Sequence, residues 1–246
     1  MQVRVLFFGI LKDVNGKSED YVDLREGASV RDLLAHYASK PRFHGVLSSI
    51  AVAVNQQYAA ADTVLKPSDE VALLPPVSGG LPDSGDASGG DMPSVTANPH
   101  YASIVRSPID TDRTLKKLKM GEDGTAVVFE GVVRNQTRGR RTLYLDYEAY
   151  EEMALQELEG LAAQVLRNFQ IRDLAIIHRL GRLEIGETSV LIMVVSAHRG
   201  PAFEACRWII DTLKRTVPIW KKEYFEDGAV WADGEPFPAE IPRANS

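Results

Sequence analysis

A segment near the middle of the chain has a composition that does not favour a folded structure, and it limits how the rest of the chain can be organised into domains. Residues 81–97, LPDSGDASGGDMPSVTA, are dense in Gly, Ser, Asp and Pro and contain no aromatic residue. Such a segment buries too little apolar surface to offset the entropy lost on ordering its backbone. It therefore predicts a flexible linker between two domains, residues 1–80 and 98–246.

The composition of the chain excludes several classes of protein. Of the 246 residues, 44% are hydrophobic and 25% are charged, as in an average globular protein. The net charge of −6 argues against nucleic-acid and membrane partners, which favour a basic excess. We expect a cytoplasmic protein, because no apolar run approaches the roughly 18 residues of a membrane span and MQVRVLFFGILKD is not a leader. A single cysteine, Cys206, excludes an internal disulfide and a cysteine metal cluster and agrees with a reducing compartment.

The first 80 residues have the pattern of a small mixed sheet on one helix. Strand patterns occur in VRVLFF and at the end of GKSEDYVDL, and Ser29 with Asp32 forms a capping box before VRDLLAHYASK. Two further strands are expected in IAVAVNQQY and DEVALLPPVSGG, where Pro75 and Pro76 end regular structure. The predicted order is ββαββ.

The second half predicts an α+β domain whose helices cover one face of a mainly antiparallel sheet. A short helix is expected from Ser107 and Pro108, and longer helices in EEMALQELEGLAAQVLRNF and between Pro201 and Pro218. The expected strands are GTAVVFEGVVR, TLYLDYEAY, DLAIIHRLG, TSVLIMVVSAH, WKKEYF and AVWAD.

The end of the first domain, VSGG, is the first feature that indicates chemistry. Gly79 and Gly80 give a slender peptide that is able to thread a narrow tunnel and present its carboxyl group. The alternative is that they only begin the linker, which has a second glycine pair at 89 and 90. The ββαββ layout favours the first interpretation. A β-grasp domain ending in Gly-Gly resembles the ubiquitin-like sulfur carriers, and PPVSGG resembles the end of the small subunit of molybdopterin synthase.

A second feature is the run from Ser196 to Glu223. His198 and Arg199 lie between a strand and a helix start, where unpaired N–H groups and the helix dipole favour an anion such as phosphate. The alternative is that they cap a surface loop.

The helix that follows places a lysine close to its apolar stripe. That stripe is Phe203, Cys206, Ile210, Leu213 and Val217. Lys214 falls near it in azimuth, so its side chain either extends along the surface to water or lines a cleft where it serves in proton transfer or attack on a carbonyl. Lys221 follows seven residues later and can return to the same region or lie exposed on a strand. Cys206 is expected to be a small buried hydrophobe and not a nucleophile.

These motifs together resemble a known family. SAHR, the spacing Lys-x-x-x-Pro-x-Trp-Lys-x-Glu across 214–223, and FEGVVRN at 129–135 are similar to the large, catalytic subunit of molybdopterin synthase. The resemblance covers about residues 100 to 235 and implies the α/β hammerhead fold for this half. With the β-grasp half, it implies a fusion of small and large subunits.

The resemblance also implies roles for individual residues. Lys214 and Lys221 are the implied catalytic lysines, and Gly80 is the residue that carries sulfur as a thiocarboxylate after cleavage. The implied pocket for the pterin phosphate consists of Phe129, Arg134, His198, Arg199, Lys222 and Glu223. Val132 and Glu235 depart from the family, which often has basic residues at these two positions.

The implied reaction converts cyclic pyranopterin monophosphate into molybdopterin by adding two sulfurs as a dithiolene. No metal or other cofactor is implied, and ATP is used by a separate enzyme that adenylates and sulfurates Gly80. That residue is an amide to Leu81 here, and an amide cannot be adenylated. Either the chain is cut after Gly80, or the intact form is inactive, with its tail docked. The resemblance further implies a homodimer through the C-terminal domain, with His198 and Arg199 acting on the neighbouring subunit's pocket.

The sequence also offers two other functions. The basic cluster Arg134, Arg138, Arg140 and Arg141 could contact nucleic acid, but no aromatic interleaving accompanies it, and a hairpin loop that binds a substrate phosphate is the simpler account. A ubiquitin-like interaction module tethered to a scaffold would need neither Lys214 nor Lys221.

Overall fold

The computed structural model describes residues 1–77, 102–232, 234, 237–238 and 240–242. Gly79, Gly80, Glu235 and the whole predicted linker lie outside the described residues. Residues 1–77 form one sheet, and residues from 102 onward form two more; they are called the N-terminal unit and the C-terminal unit below. In the described part of the chain, no helix has the length and apolar character needed to cross a membrane.

The N-terminal unit is a five-stranded mixed sheet that wraps around one helix. Its strands are β1 (Gln2–Phe7), β2 (Glu19–Asp23), β3 (Ala51–Val54), β4 (Gln57–Tyr58) and β5 (Glu70–Leu74). They lie in the order β2-β1-β5-β3-β4, with β1 and β5 parallel. As predicted, Ser29 and Asp32 form a capping box at the start of the sheet-covering helix, Val30–Ala38. The β-grasp architecture expected from the sequence is confirmed.

Three short elements of this unit were not predicted from the sequence. The first helix, α1, spans Ile10–Asn15 and ends at Gly16, whose φ of 75° is left-handed. The covering helix is therefore α2. Two 3₁₀ turns, Pro41–Phe43 and Leu47–Ser49, follow it. Elements of three to six residues span less than two helical turns, too little for a hydrophobic period to stand out.

The C-terminal unit has the α+β class predicted, but it contains two sheets and not one. The first has the order β6-β10-β12-β7, and the second is built on β11-β9-β13-β14, with β8 paired to β9. The first-sheet strands are β6 (Ala102–Val105), β7 (Thr125–Val132), β10 (Asp173–Arg179) and β12 (Thr188–Ser196). The second-sheet strands are β8 (Gln136–Thr137), β9 (Arg140–Ala149), β11 (Gly181–Glu184), β13 (Ile219–Phe225) and β14 (Gly228–Trp231).

Three helices complete this unit. The long helices α4 (Glu151–Asn168) and α5 (Arg199–Thr216) bury their apolar sides in the main core on one face of the first sheet. The short helix α3 (Thr111–Leu118) covers the other face, so the expectation that helices lie on one face only is wrong. It also begins later than predicted, because the Asp110 carboxylate accepts the Arg113 backbone N–H at 2.9 Å and sets the N-cap there.

The two units pack against each other through the sheet face that α2 leaves uncovered. Side chains alternate between the two faces of β3, so Val52 packs on the α2 side and Ala51 and Ala53 face the C-terminal unit. These small residues belong to one buried cluster with Trp220 and Met153 of the C-terminal unit. The interface therefore has an apolar centre, and it positions the end of the N-terminal unit beside β13.

Candidate active site

The last described residues of the N-terminal unit, 75–77, enter a buried passage and are called the carrier tail below. The Trp220 indole N–H of β13 donates a buried hydrogen bond of 2.9 Å to the Pro75 carbonyl. Gly234 lies so close that a Cβ there would collide with the Pro76 carbonyl. Val77 is 1% exposed and shares a cluster with Phe237 and Ile241. The carrier tail thus runs between β13 and a C-terminal strap consisting of Gly234, Phe237 and Ile241.

Lys221 directly follows the tryptophan that binds the carrier tail. Because side chains alternate along a strand, Lys221 and Glu223 lie on the face opposite to Trp220. The Lys221 ammonium is 3.1 Å from Glu223 Oε1, and Glu223 is only 5% exposed. Its other oxygen, Oε2, is buried and has no hydrogen-bond partner among the described residues. A carboxylate buried this deeply requires a nearby cation, and Lys221 provides one.

Lys214 lies in the last turn of α5, partly buried. Four stripe residues, Cys206, Ile210, Leu213 and Val217, are buried in the main core as predicted. Phe203 is 61% exposed, so its assignment to the stripe is wrong.

The true centre of the buried face of α5 is shifted from the predicted one. Ala202, Ala205 and Ile209 complete that face. At about 100° per residue, Lys214 then lies on the flank of the face and not at its centre. The helix ends at Thr216 and β13 begins at Ile219, so Lys214 and Lys221 are on elements that meet at one corner.

Two of the predicted anion-binding residues are far from this corner within one chain. His198 and Arg199 are exposed at the N-terminal end of α5. Fifteen residues separate Arg199 from Lys214, which corresponds to about 22 Å along the helix axis. A single chain therefore does not bring them together with the lysines.

Phe129 and Arg134 flank the end of the edge strand β7. Phe129 is partly buried against the main core, whereas Arg134 is exposed just beyond the strand. The intervening Val133 is buried with Leu145, which is the register partner of Glu223. Val132, at one of the two departures from the family, is 48% exposed.

Lys222 lies apart from Lys221, on the opposite face of β13. Its ammonium pairs with Asp13 of the N-terminal unit at 2.9 Å and lies 5.0 Å from the centre of the Trp231 ring. A polar cavity of about 320 Å³ between the units is lined by Lys222 together with Lys12 and Arg106. Each of these cations has a carboxylate partner, so this cavity offers a phosphate no unpaired lysine or arginine among its lining residues.

The comparisons with known proteins follow the same division of the chain. The ThiS family model matches residues 5–80, and the MoaE protein model matches residues 104–216. The molybdopterin synthase catalytic subunit of Pyrococcus abyssi is 41% identical over 135 residues, which are 54% of this chain and 91% of that protein. The chain belongs to the molybdopterin synthase family.

Other members of the molybdopterin synthase family agree. The catalytic subunit of Bacillus subtilis is 45% identical over 52% of this chain and 82% of its own length. The crystal structure of molybdopterin synthase from Staphylococcus aureus matches with a TM-score of 0.51 and 38% identity, covering 55% of this chain and 98% of that one. The resemblance stated from the sequence is confirmed for both halves. This chain is a sulfur-transferring enzyme of molybdenum cofactor biosynthesis that carries the ThiS-type and MoaE-type parts together.

No motif in the sequence identifies the residues that hold the two parts of this chain together. The Phe8 ring lies 5.1 Å from both the Tyr150 ring and the Trp220 ring, and it stacks on the latter. Tyr58 donates a hydrogen bond to the Thr216 carbonyl at 2.8 Å. Phe8 follows a strand pattern that signals burial, but no local pattern identifies a partner about 140 to 210 residues away.

The sequence also shows no sign of two titratable groups with shifted pKa values, partly buried Glu157 and buried His178. Burial raises the pKa of Glu157 on α4 to about 7. Burial lowers the pKa of His178 to about 4, and its Nδ1 is 3.0 Å from the Arg179 carbonyl oxygen. His178 packs edge-on against Tyr147, in the core between the sheets. In the described part of the chain, no group of three or more His, Cys, Asp or Glu side chains could hold a metal ion.

Proposed function

We propose that this chain converts cyclic pyranopterin monophosphate into molybdopterin, with Gly80 as the sulfur-carrying residue. The observation that carries the proposal is the hydrogen bond between Trp220 and Pro75, because it places the carrier tail beside the residue that precedes Lys221. Five residues separate Pro75 from Gly80, and an extended backbone of that length spans about 16 Å. The terminal glycine can therefore reach the corner where Lys214 and Lys221 meet.

The lysines suit the chemistry of sulfur transfer. Attack by a thiocarboxylate sulfur on the pterin, and hydrolysis that returns Gly80 to a carboxylate, both require proton transfers that a positioned amine performs. In this proposal Lys214 transfers protons or forms a transient covalent bond with substrate, and Lys221 assists it. Glu223 holds the Lys221 ammonium in place and does not bind the phosphate itself, because a carboxylate repels an anion.

The anion-binding residues imply a second copy of the chain. His198 and Arg199 lie about 22 Å from Lys214 along α5, so they serve the phosphate only if a neighbouring subunit brings them to the site. We propose a homodimer that forms through the C-terminal unit. In this proposal Arg134 and Phe129 line the substrate pocket beside Lys214 and Lys221. Light scattering should give twice the mass of the chain; a fully active monomer would contradict this part of the proposal.

The fusion itself requires processing. An activating enzyme adenylates a free carboxylate with ATP before sulfur is added, but the Gly80 carbonyl of the intact chain is an amide to Leu81. We propose cleavage after Gly80, in a segment whose composition is typical of sites of proteolysis. No metal or redox cofactor is required by this scheme.

Intact-mass spectrometry of the protein purified from its native host tests the proposal. We expect a fragment that ends at Gly80, together with a heavier form in which sulfur replaces one carboxylate oxygen. If only the full-length chain is found, and it supports cofactor synthesis in cells without a separate carrier, cleavage is not part of the function.

A further inference from the structure

A buried arginine at the end of the first sheet has no part in the chemistry described so far. Arg179 is the last residue of β10 and is only 7% exposed. Its guanidinium pairs with the Glu187 carboxylate at 3.0 Å, and its Nε atom is buried without a hydrogen-bond partner among the described residues. Burying an incompletely paired guanidinium costs free energy that an apolar side chain of similar size would not cost. Stability alone therefore does not account for an arginine at this position.

The partner of Arg179 organises the turn between β11 and β12. The Glu187 carboxylate accepts the Glu184 backbone N–H at 2.8 Å, and the Glu187 N–H donates to the Glu184 carbonyl at 3.1 Å. Gly186, between them, has a left-handed φ of 87°, which glycine adopts without strain. The Glu184 N–H and the Arg179 guanidinium both lower the pKa of Glu187, so its carboxylate stays charged. Arg179 thus holds the turn from its buried side.

This turn clamps the backbone immediately before Arg134. The Val133 N–H donates to the Glu187 carbonyl at 3.0 Å, and the Gly186 N–H donates to the Val133 carbonyl at 2.9 Å. The second of these bonds holds the peptide unit that joins Val133 to Arg134. The direction in which Arg134 leaves the strand is therefore set by the turn.

The side chain of Arg134 has no comparable restraint of its own. It is exposed, and no described residue forms an ion pair or a hydrogen bond with its guanidinium. Val133 is buried with Leu145, which is the register partner of Glu223. Arg134 therefore begins on the side of the second sheet that carries Lys221. Because a long side chain loses conformational freedom when it binds a ligand, fixing the backbone that carries it favours binding.

We propose that Arg179, through its pair with Glu187, is a positioning residue that aims Arg134 at the phosphate of the substrate. The inference rests on the proposed function, in which Arg134 lines the substrate pocket. It adds a buried residue that does not touch the substrate and acts only through the backbone of the turn. The effect of Arg179 on binding should consequently disappear when the Arg134 guanidinium is absent.

A double-mutant cycle on the binding of cyclic pyranopterin monophosphate to the full chain tests this inference. Calorimetry gives the Kd for the parent, Arg179→Met, Arg134→Ala and the double variant. We expect Arg134→Ala to raise the Kd about tenfold or more and Arg179→Met to raise it about fivefold. In the Arg134→Ala background, Arg179→Met should change the Kd less than about twofold, because residues that act through one another are not additive. Arg179→Lys, which keeps a cation beside Glu187, should restore part of the lost affinity.

The matched control is Arg182→Met. Arg182 forms an exposed ion pair with Glu184 at 2.7 Å on the same hairpin, and strand alternation directs it away from buried Leu183. We expect it to change the Kd less than about twofold.

Hydrogen exchange of the Val133 amide, resolved by NMR, reports the clamp without any substrate. Exchange should be at least about fivefold faster in Arg179→Met and unchanged in Arg182→Met. If Arg179→Met does not fold, Glu187→Gln provides the decision, because glutamine keeps an acceptor for the Glu184 N–H and removes only the charge.

The outcomes separate this inference from the proposed function. An equal effect of Arg179→Met with and without the Arg134 guanidinium would overturn the positioning role, and so would an unchanged Val133 exchange rate. A control variant that weakens binding as much as Arg179→Met would overturn it too. A parent chain that does not bind the pterin, although Val133 exchange responds as expected, would refute the proposed function and not the clamp.

Discussion

Replacing Trp220 by Phe tests how the catalytic unit holds the carrier tail. The substitution keeps an aromatic ring beside Phe8 but removes the indole N–H that binds the Pro75 carbonyl at 2.9 Å. Trp220 is 2% exposed and Pro75 is buried, so water does not replace the lost donor. A buried carbonyl left without a partner costs about 1–3 kcal/mol.

This cost should appear as weaker association between the two units once the chain has been cut. At about 1.4 kcal/mol per factor of ten, the dissociation constant of residues 1–80 from residues 81–246 should rise between about 5-fold and about 150-fold. Isothermal titration calorimetry of the two separately produced pieces, each checked for folding, measures it.

The matched control is Trp231→Phe. The Trp231 indole N–H also donates across the interface, to Asp13 at 2.8 Å, but this bond is exposed and water can replace it. We expect less than about a fivefold change, corresponding to under about 1 kcal/mol. If both tryptophan substitutions weaken association equally, or if Trp220→Phe changes it less than twofold, the buried hydrogen bond does not hold the tail.

Three further predictions concern single side chains. Lys214→Ala should lower the rate of molybdopterin formation about a hundredfold or more while leaving the melting temperature unchanged. A rate lowered only a few fold would refute a catalytic role for Lys214. Burial raises the pKa of Glu157 from 4.5 to about 7, so the folded chain retains a proton that the unfolded chain has released across that window. The contribution of Glu157 to the free energy of unfolding is therefore full below about pH 4.5 and lost by about pH 7, while buried His178, whose pKa is lowered to about 4, changes stability in the opposite direction. The urea midpoint of the wild type minus that of Glu157→Gln should therefore be larger at about pH 5 than at about pH 8, and an equal difference at both would refute the prediction. Burial also raises the pKa of the Cys206 thiol to about 11, so Cys206→Ala should keep activity within about twofold, and a greater loss in a folded variant would indicate a role for the thiol.

Strong local patterns predicted the backbone of both units. The capping box at Ser29 and the helical period of apolar residues along the 18-residue helix α4 are local signals, and both elements form where expected. The strands β6 and β11, of four residues each, were missed because so short a run has no distinctive period. The division into two sheets depends on which strands pair with one another over long sequence separations. A local sequence pattern does not indicate this pairing.

The site was predicted less completely than the fold. The catalytic roles of Lys214 and Lys221 stay predictions. The apolar stripe on α5 was placed too close to Phe203, because the alanines that complete the buried face carry a weak hydrophobic signal. The resemblance implied a place for Lys222 in the pocket for the pterin phosphate, but strand alternation puts its side chain on the face of β13 opposite to that of Lys221. Its partner, Asp13, is more than 200 residues away in the sequence, and only the docking of the units shows the pair.

In the function proposed for this chain, a single polypeptide supplies both the sulfur carrier and the catalytic site of a molybdopterin synthase. The most direct measurement is to cut the chain after Gly80, convert that glycine to its thiocarboxylate, add cyclic pyranopterin monophosphate and assay for a dithiolene pterin. We expect product from the cut, sulfur-loaded chain, little from its Lys214→Ala variant, and none from the uncut chain. A folded, fully sulfur-loaded preparation that yields no dithiolene would contradict it.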